Sequence, residues 1–227
     1  MSITGQDESF INDNARWASM TVGCILAGGL SRRMGGGDKA LREIAGTSLV
    51  GRVITRIAPQ VGRVIINANG DPARFSGFGY PVVADTLPGH LGPLAGILAG
   101  LRWAERHAPS ARWVVTVAAD TPFFPDDLVA RLVGAAGHIE TMIALARSGD
   151  RVHPVFGLWP VMLADDLEAA IRGEDLRKVL VWVHRHPNVE VIFRGPVVDG
   201  IEIDPFFNVN TPEDIDVAEV LAEELSR

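Results

Sequence analysis

Apolar and polar residues along this chain fall into blocks of two kinds. Short apolar runs closed by glycine, asparagine or aspartate predict strands; longer stretches with apolar residues three and four apart predict helices. Val22, Cys24, Ile25 and Leu26 make the first run, closed by Gly28 and Gly29. A helix is predicted from about Thr47 to Ala58, with Leu49, Val50, Val53, Ile54 and Ile57 on one face, Thr47 or Ser48 as its cap, and Pro59 and Gly62 as its stop. The run from Val64 to Ile66 is the second strand, with a turn from Asn67 to Gly70. The third runs from Pro81 to Ala84 and ends at Asp85. A glycine-rich turn from Gly89 to Gly96 leads into a helix with Leu94, Ile97, Leu98 and Leu101 on one face, closing near His107. From Trp113 to Ala119 the chain is apolar except for Thr116, as expected of a strand buried on both faces of a parallel sheet.

That strand ends in Asp120-Thr121-Pro122, and Pro125 is expected in the first turn of the next helix. Later strands are expected from Thr141 to Ala146, His153 to Trp159, Val189 to Phe193 and Phe206 to Asn210. Helices are expected from Ala164 to Arg172 and from Leu176 to His186. Thr211-Pro212-Glu213-Asp214 caps a terminal helix with Ile215, Ala218, Leu221 and Leu225 on one side. Strands and helices alternate over the first 150 residues, which predicts an α/β fold: an open, mostly parallel twisted sheet with helices on both faces. The part after residue 150 reads as an insertion or lid-like half of the same domain. Residues 1–20, polar and mixed in charge, read as a disordered extension ahead of one domain spanning 21–227.

Composition narrows the function. With 227 residues, 47% hydrophobic and 22% charged, this is an ordinary globular chain. Its net charge of −7 and lack of a basic block argue against nucleic acid as a partner. No apolar run is long enough to span a membrane, and nothing reads as a signal peptide, so the cytoplasm is the expected location. The single cysteine, Cys24, sits in an apolar strand and reads as a packed thiol.

The chemistry concentrates after the first strand. From Gly28 to Lys39 the chain holds five glycines (Gly28, Gly29, Gly35, Gly36 and Gly37) and three cations (Arg32, Arg33 and Lys39). Glycines let backbone N–H groups converge on phosphate oxygens, and the cations neutralise polyphosphate. A solvated surface turn is the plainer alternative. The spacing fits neither a P-loop nor a dinucleotide fingerprint. Asn67, Asp85 and Asp120 also lie just past, or at the ends of, predicted strands, where open α/β sheets bind ligands. Asp120 suits a Mg²⁺ ligand beside bound phosphate, or a turn cap before Pro122. Asp85 and Asn67 could hydrogen-bond a base or ribose, or could serve as turn residues. Asn208 and Asn210, on alternate positions of one expected strand, would share a face toward metal or substrate, or cap the last helix. His153 is as well explained by packing as by function.

Taken whole, Leu-Ala-Gly-Gly, then Arg-Met-Gly-Gly, then Asp-Lys-Ala-Leu resembles the nucleotide loop of the nucleotidyltransferases that activate sugars, polyols and pterins. Within them the chain is most similar to the molybdenum cofactor guanylyltransferases. The likeness runs from Thr21 to the terminal helix and includes Gly92-Pro93-Leu94-Ala95-Gly96, Asp120-Thr121-Pro122, His153-Pro154, the Arg177-Lys178 region and Asn208-Val209-Asn210-Thr211-Pro212-Glu213. It implies a Rossmann-like fold of the nucleotide-diphospho-sugar transferase type. It also implies transfer of GMP from GTP to the terminal phosphate of molybdenum-bound molybdopterin, with release of pyrophosphate. Leu26, Ala27, Gly28, Gly29, Lys39, Asn67, Asp85 and Asp120 would bind GTP, Arg33 and Lys39 would hold its phosphates, and Asp120 would also bind Mg²⁺. Gly92, His153, Arg177, Lys178, Asn208 and Asn210 are candidates for the pterin. Cofactor-delivery proteins or molybdoenzyme chaperones would be partners. The chain departs from the family pattern in its N-terminal extension and in Ala40, where glycine often follows the lysine. A cytidylyltransferase for molybdopterin, another sugar or polyol nucleotidyltransferase, and a non-catalytic nucleotide sensor are the alternatives.

Overall fold

The computed structural model describes residues 16–28, 38–89, 91–198 and 200–224. Strand β1 (Thr21–Leu26) opens the sheet and leads to the glycine-rich segment. Beyond it, β2 (Glu43–Ile44) and β3 (Thr47–Ser48) pair as a small hairpin turned at Ala45 and Gly46, whose φ values are 46° and 73°. Two left-handed residues are what a tight two-residue hairpin needs. Helix α1 (Leu49–Ile57) starts at once, with Ser48 Oγ accepting the Gly51 N–H at 3.2 Å. Strands β4 (Arg63–Asn67) and β5 (Val82–Val83), helix α2 (Pro93–His107), strand β6 (Trp113–Ala118) and helix α3 (Leu128–Ala136) follow. Then come β7 (Ile143–Ser148), β8 (Arg151–Pro160), α4 (Ala164–Glu174), α5 (Val179–Val183) and β9 (Asn188–Ile192). A second hairpin, β10 (Val197–Val198) with β11 (Ile201–Glu202), precedes the terminal helix α6 (Pro212–Glu224).

Seven strands form the main sheet in the order β5-β4-β1-β6-β8-β7-β9, parallel except for β8, which runs antiparallel to both its neighbours. The register matters for function. Leu26 lies opposite both Asn67 and Ala118, and Asn67 lies opposite Val83. Four parallel strands therefore end at one level, and the segments that leave them share one edge of the sheet.

Period-two alternation divides the core. Ile25, Ile66, Val115, Val117 and Phe156 face α1 and α3, while Cys24, Ile65, Val114, Leu145 and Trp159 face α2, α4 and α5. Both faces are covered, as predicted. A smaller cluster of Ile44, Leu49, Phe123, Val209 and Leu221 seats α6 on the first hairpin. Helix α2 approaches the sheet closely at Gly96, where a Cβ would lie 2.5 Å from Asn67 Oδ1 and 2.7 Å from Leu26 Cδ2. Its first residue follows Gly92, which has φ +67° and ψ −158°, a backbone region that belongs to glycine.

Several expectations need correction. The chain after residue 150 is no insertion or lid, because β8 and β9 are integral to the main sheet. Phe206 to Asn210 is not a strand. Its buried residues, Phe206 and Val209, are three apart, and its N–H groups go to the Asp204 side chain and the Asp120 carbonyl instead of a ladder. Asn67 ends β4 rather than opening a turn. Pro125 precedes α3, which starts at Leu128 because Phe123 and Phe124 are first buried in the loop. Helix α5 is only five residues long, Asp175 having taken a left-handed conformation (φ 53°) that breaks the path from α4. Of the expected extension, residues 1–15 lie outside the described residues. Residues 16–19 are helical, and Trp17 packs edge-on against Trp113 with ring centroids 5.7 Å apart.

Thr116 and His153 are among the polar residues buried in the fold. Thr116, with no exposed surface, donates to the Val155 carbonyl at 2.7 Å and accepts the Trp159 indole N–H at 2.8 Å. His153 packs 4.4 Å from the Phe206 ring, its Nε2 2.7 Å from Ser148 Oγ. The Ser148 hydroxyl gives its proton to Asp204 at 2.8 Å, so the imidazole is the donor to Ser148. Burial pushes the His153 imidazole below its ordinary value of 6.5; Asp204 opposes this and Arg151 adds to it.

Thr116→Val is expected to destabilise the protein by about 1–3 kcal/mol, because it strands the Trp159 N–H in the core; urea denaturation measures this. His153 yields a pH dependence of definite sign. With a folded pKa depressed below 6.5, the unfolded chain binds the proton first. Stability should fall as pH drops through 6.5 and level off below the folded pKa. His153→Gln should flatten that part of the stability–pH curve, measured by denaturation at a series of pH values.

Candidate active site

The site begins two residues past the end of β6. Asp120 Oδ2 accepts from Lys39 Nζ at 2.6 Å, and Asn210 Oδ1 accepts from the same ammonium at 2.5 Å. The Thr121 hydroxyl donates to Asn208 Oδ1, and the Val209 N–H donates to the Asp120 carbonyl at 2.9 Å. Residues 208–210 are thus tied to Asp120-Thr121 through both side chains and backbone. The start of α6 supports them from behind. Asp214 Oδ2 accepts the Asn210 and Thr211 N–H groups at 2.7 and 2.8 Å, and Thr211 Oγ1 accepts the Asp214 N–H at 3.3 Å, a reciprocal cap. Burial pushes the Asp214 carboxyl up, but those N–H donors and the Lys39 charge outweigh it and hold it below the usual carboxylate range.

A second group lies across β1. Asn67 Nδ2 donates to Asp85 Oδ1 at 3.0 Å and to the Val83 carbonyl at 3.1 Å. Asn69 clamps the other side of Asp85. Its Nδ2 donates to Asp85 Oδ2 at 2.7 Å and its Oδ1 accepts the Asp85 N–H at 2.9 Å. Arg74 Nη2 donates to the Asn69 carbonyl at 2.7 Å, and Arg74 Nε lies 3.1 Å from Asp38 Oδ2. Between the two groups runs the end of β1, where the Ala27 N–H reaches the Asn67 carbonyl at 2.9 Å and the Leu26 carbonyl accepts from Ala119 at 3.1 Å.

The structure brings Leu26, Ala27, Gly28, Lys39, Asn67, Asp85, Asp120, Asn208 and Asn210 to one sheet edge, with Gly92 at the start of α2. Arg33 and Gly29 lie outside the described residues. Three pterin candidates part from expectation. His153 is enclosed by Phe156, Phe206 and Ser148, and acts as a core histidine. Arg177 is spent on Asp175 and the Leu176 carbonyl, and Lys178 is exposed before α5; among the described residues neither joins the Asp120 cluster. Asn208 and Asn210 do converge on the cluster, but from an irregular segment and not from a strand face. The sequence by itself assigns no site role to Asp38, Asn69, Arg74 or Thr121. Asn69 was within reach of it, since a residue two past Asn67 in extended chain shares its side.

A divalent cation fits this donor set. A carboxylate oxygen and an amide oxygen already hold one cation, the Lys39 ammonium, between them. Among the described residues no three His, Cys, Asp or Glu side chains cluster to form a cage. One carboxylate supplemented by phosphate oxygens and water is the pattern Mg²⁺ favours. Among the described residues no helix is long and apolar enough to cross a membrane.

Comparison with known proteins places this geometry. Residues 23–189 match the MobA-like NTP transferase domain family. The chain is 55% identical to a molybdenum cofactor guanylyltransferase of Bradyrhizobium sp. (strain ORS 278), over 88% of this chain and 92% of that one. It is 50% identical to another of Mesorhizobium japonicum, over 86% and 92%. Among solved structures, the molybdopterin-guanine dinucleotide biosynthesis protein A of Archaeoglobus fulgidus shares the fold at a TM-score of 0.66 and 23% identity, covering 90% of this chain and all of that one. A Mycobacterium tuberculosis protein solved with manganese does so at 0.61 and 20%, covering 87% and 97%. Half-identity across nearly the whole length of such relatives, together with the family match over residues 23–189, means that the chain belongs to the molybdenum cofactor guanylyltransferase family of nucleotidyltransferases.

Proposed function

We propose that this edge of the sheet binds GTP with Mg²⁺ and transfers GMP to the terminal phosphate of molybdenum-bound molybdopterin. The observation that carries the reading is the sharing of one ammonium by Asp120 and Asn210 near the level where Asn67 ends β4 and Asp85 follows β5. It supplies a cation for phosphate and oxygens for metal on one side, and a carboxylate for the base on the other.

Asp85 can accept from the N–H groups of guanine's edge, and Asn67 holds it in place. Lys39 and Arg33 stabilise the charge that builds on the leaving pyrophosphate. Asp120 and Asn210 would hold the metal. When bound, it neutralises charge on the phosphates as the bond to the α-phosphorus changes hands. The acceptor is already a phosphate anion, so no residue need act as general base. Aligning two anions is the protein's chief task, and the clustered cations make their approach possible in a chain of net charge −7. Gly92, at the start of α2, and Asn208, beside Asp120, border the place where the pterin phosphate would enter. A cytoplasmic setting, with cofactor-delivery proteins and molybdoenzyme chaperones as partners, belongs to the same reading.

Pyrophosphate release with each of the four nucleoside triphosphates, Mg²⁺ and molybdenum-loaded molybdopterin tests the function. Release with GTP alone is expected; release with CTP in its place would overturn the guanine assignment. Asp120→Asn should lower kcat by about 10²–10³-fold and Lys39→Met by a similar order, both with folded circular dichroism. An Asp120→Asn variant at normal rate would remove the metal role. Gly96→Ala should alter stability by no more than about 1 kcal/mol, since a helix gains from the added methyl while Leu26 and Asn67 must shift. Its GTP affinity should nonetheless fall, because the shifted Asn67 amide leaves Asp85; titration calorimetry reads this.

A further inference from the structure

Three side chains outside the assigned nucleotide ligands, Asp38, Arg74 and Asn69, form a continuous path between the two halves of the site. Asp38 Oδ1 accepts the Ala40 N–H at 3.1 Å, which fixes the backbone on either side of Lys39. Its other oxygen faces Arg74 Nε at 3.1 Å; these two buried atoms attract by charge, without the alignment of a hydrogen bond. From Arg74 the path continues through Nη2 to the Asn69 carbonyl, and from the Asn69 amide to both the backbone N–H and Oδ2 of Asp85. Gly70, at φ +87°, reverses the chain, and Asp71 caps the following turn by accepting the Ala73 N–H at 2.9 Å, so that Arg74 folds back over Asn69. Arg74 is also held by the Phe75 ring, 4.9 Å from its guanidinium carbon.

Surface ion pairs ordinarily contribute little. This one differs in its placement. The Asp38 side chain is only 12% exposed and that of Arg74 31%, and the pair joins a residue next to the phosphate-binding lysine to the clamp on the base-facing carboxylate. We propose that Asp38, Arg74 and Asn69 are positioning residues that keep the base and phosphate halves of the nucleotide site in mutual register. They touch neither half of the nucleotide. They remove the need for GTP to order one half against the other when it binds, a form of preorganisation. The proposal rests on the reading that Asp85 meets guanine and Lys39 meets phosphate.

That division of labour predicts an unusual binding pattern, measured by titration calorimetry with Mg²⁺ present. Arg74→Gln should weaken GTP by about tenfold, within the usual range of coupling between sites. Tripolyphosphate alone and guanosine alone, each filling one half, should bind Arg74→Gln within about twofold of their wild-type affinity, because neither needs the register. Asp38→Asn should behave alike, and the double variant should be no weaker than either single one. Arg74→Lys keeps the charge opposite Asp38 but lacks the second nitrogen for Asn69, so it should show the same loss; it serves if Arg74→Gln does not fold, as thermal melting will tell. Unchanged GTP affinity, additive losses in the double variant, or a loss reproduced in full by one fragment would each overturn the proposal. The measurement needs no acceptor. A wild-type protein that binds GTP but transfers nothing to molybdopterin would count against the transfer reading alone, and a wild-type protein that binds no GTP would overturn both.

Discussion

Lys39 sends its ammonium to a carboxylate 81 residues away and to an amide 171 residues away, and much of the site depends on that one meeting point. Asp120 arrives on the central strand, Lys39 from the loop after β1, and Asn210 from the segment that returns to cap the sheet. A charge held by two oxygens and largely shielded from water is a directional constraint, since parting Lys39 from Asp120 would leave an uncompensated charge on each.

The sheet makes this meeting possible through one departure from uniformity. After β6 the chain skips a position and returns antiparallel through β8, which fills the gap between β6 and β7. The reversal is held by the Thr116–Trp159 bond and needs Gly157, where a Cβ would sit 2.5 Å from the Trp159 ring. Strand β9 then resumes the parallel direction and delivers the chain, at its carboxyl end, to the functional edge. The 204–210 segment can therefore be anchored by the Ser148–Asp204 bond on one side and by Asp120-Thr121 on the other. What resembles an appended half in the sequence is the route by which Asn208 and Asn210 reach Asp120 and its neighbours.

This also shows which parts of the molecule could be read from the chain and why. Strands β1, β4 and β6 and helices α1 and α2 are legible because burial on a sheet imposes period and length on the residues themselves. Asp120 and Asp85 are legible as residues of the sheet edge, because each follows an apolar strand whose end the residues themselves mark. Phe206 to Asn210 misleads, since phenylalanines followed by alternating asparagines imitate a strand, while the actual determinants are the Asp204 side chain and the Asp120 carbonyl, neither of which is local pattern. His153 misleads similarly: a histidine beside proline carries no sign of the aromatic shell that encloses it. Asn69 and Arg74 act through side-chain bonds that span the turn and the loop, and no periodicity records these.

The two carboxylates that face this edge, Asp85 and Asp120, already have donors within the protein. Both oxygens of Asp85 have amide donors, and Asp120 Oδ2 has an ammonium. Substrate binding is therefore an exchange of partners, in which each new hydrogen bond is offset by one relinquished or shared, and its net strength is modest. What the arrangement secures is selectivity. A base lacking donors where Asp85 has lone pairs to spare gains nothing from approaching it, and would cover a carboxylate without relieving it. On the function proposed above, a phosphate that does not draw Lys39 away leaves the oxygens of Asp120 and Asn210 occupied. The network would then make recognition of the base and release of those oxygens conditional on the right ligand, a more demanding design than a vacant pocket of charges and one that a parallel sheet with level strand ends is well suited to hold.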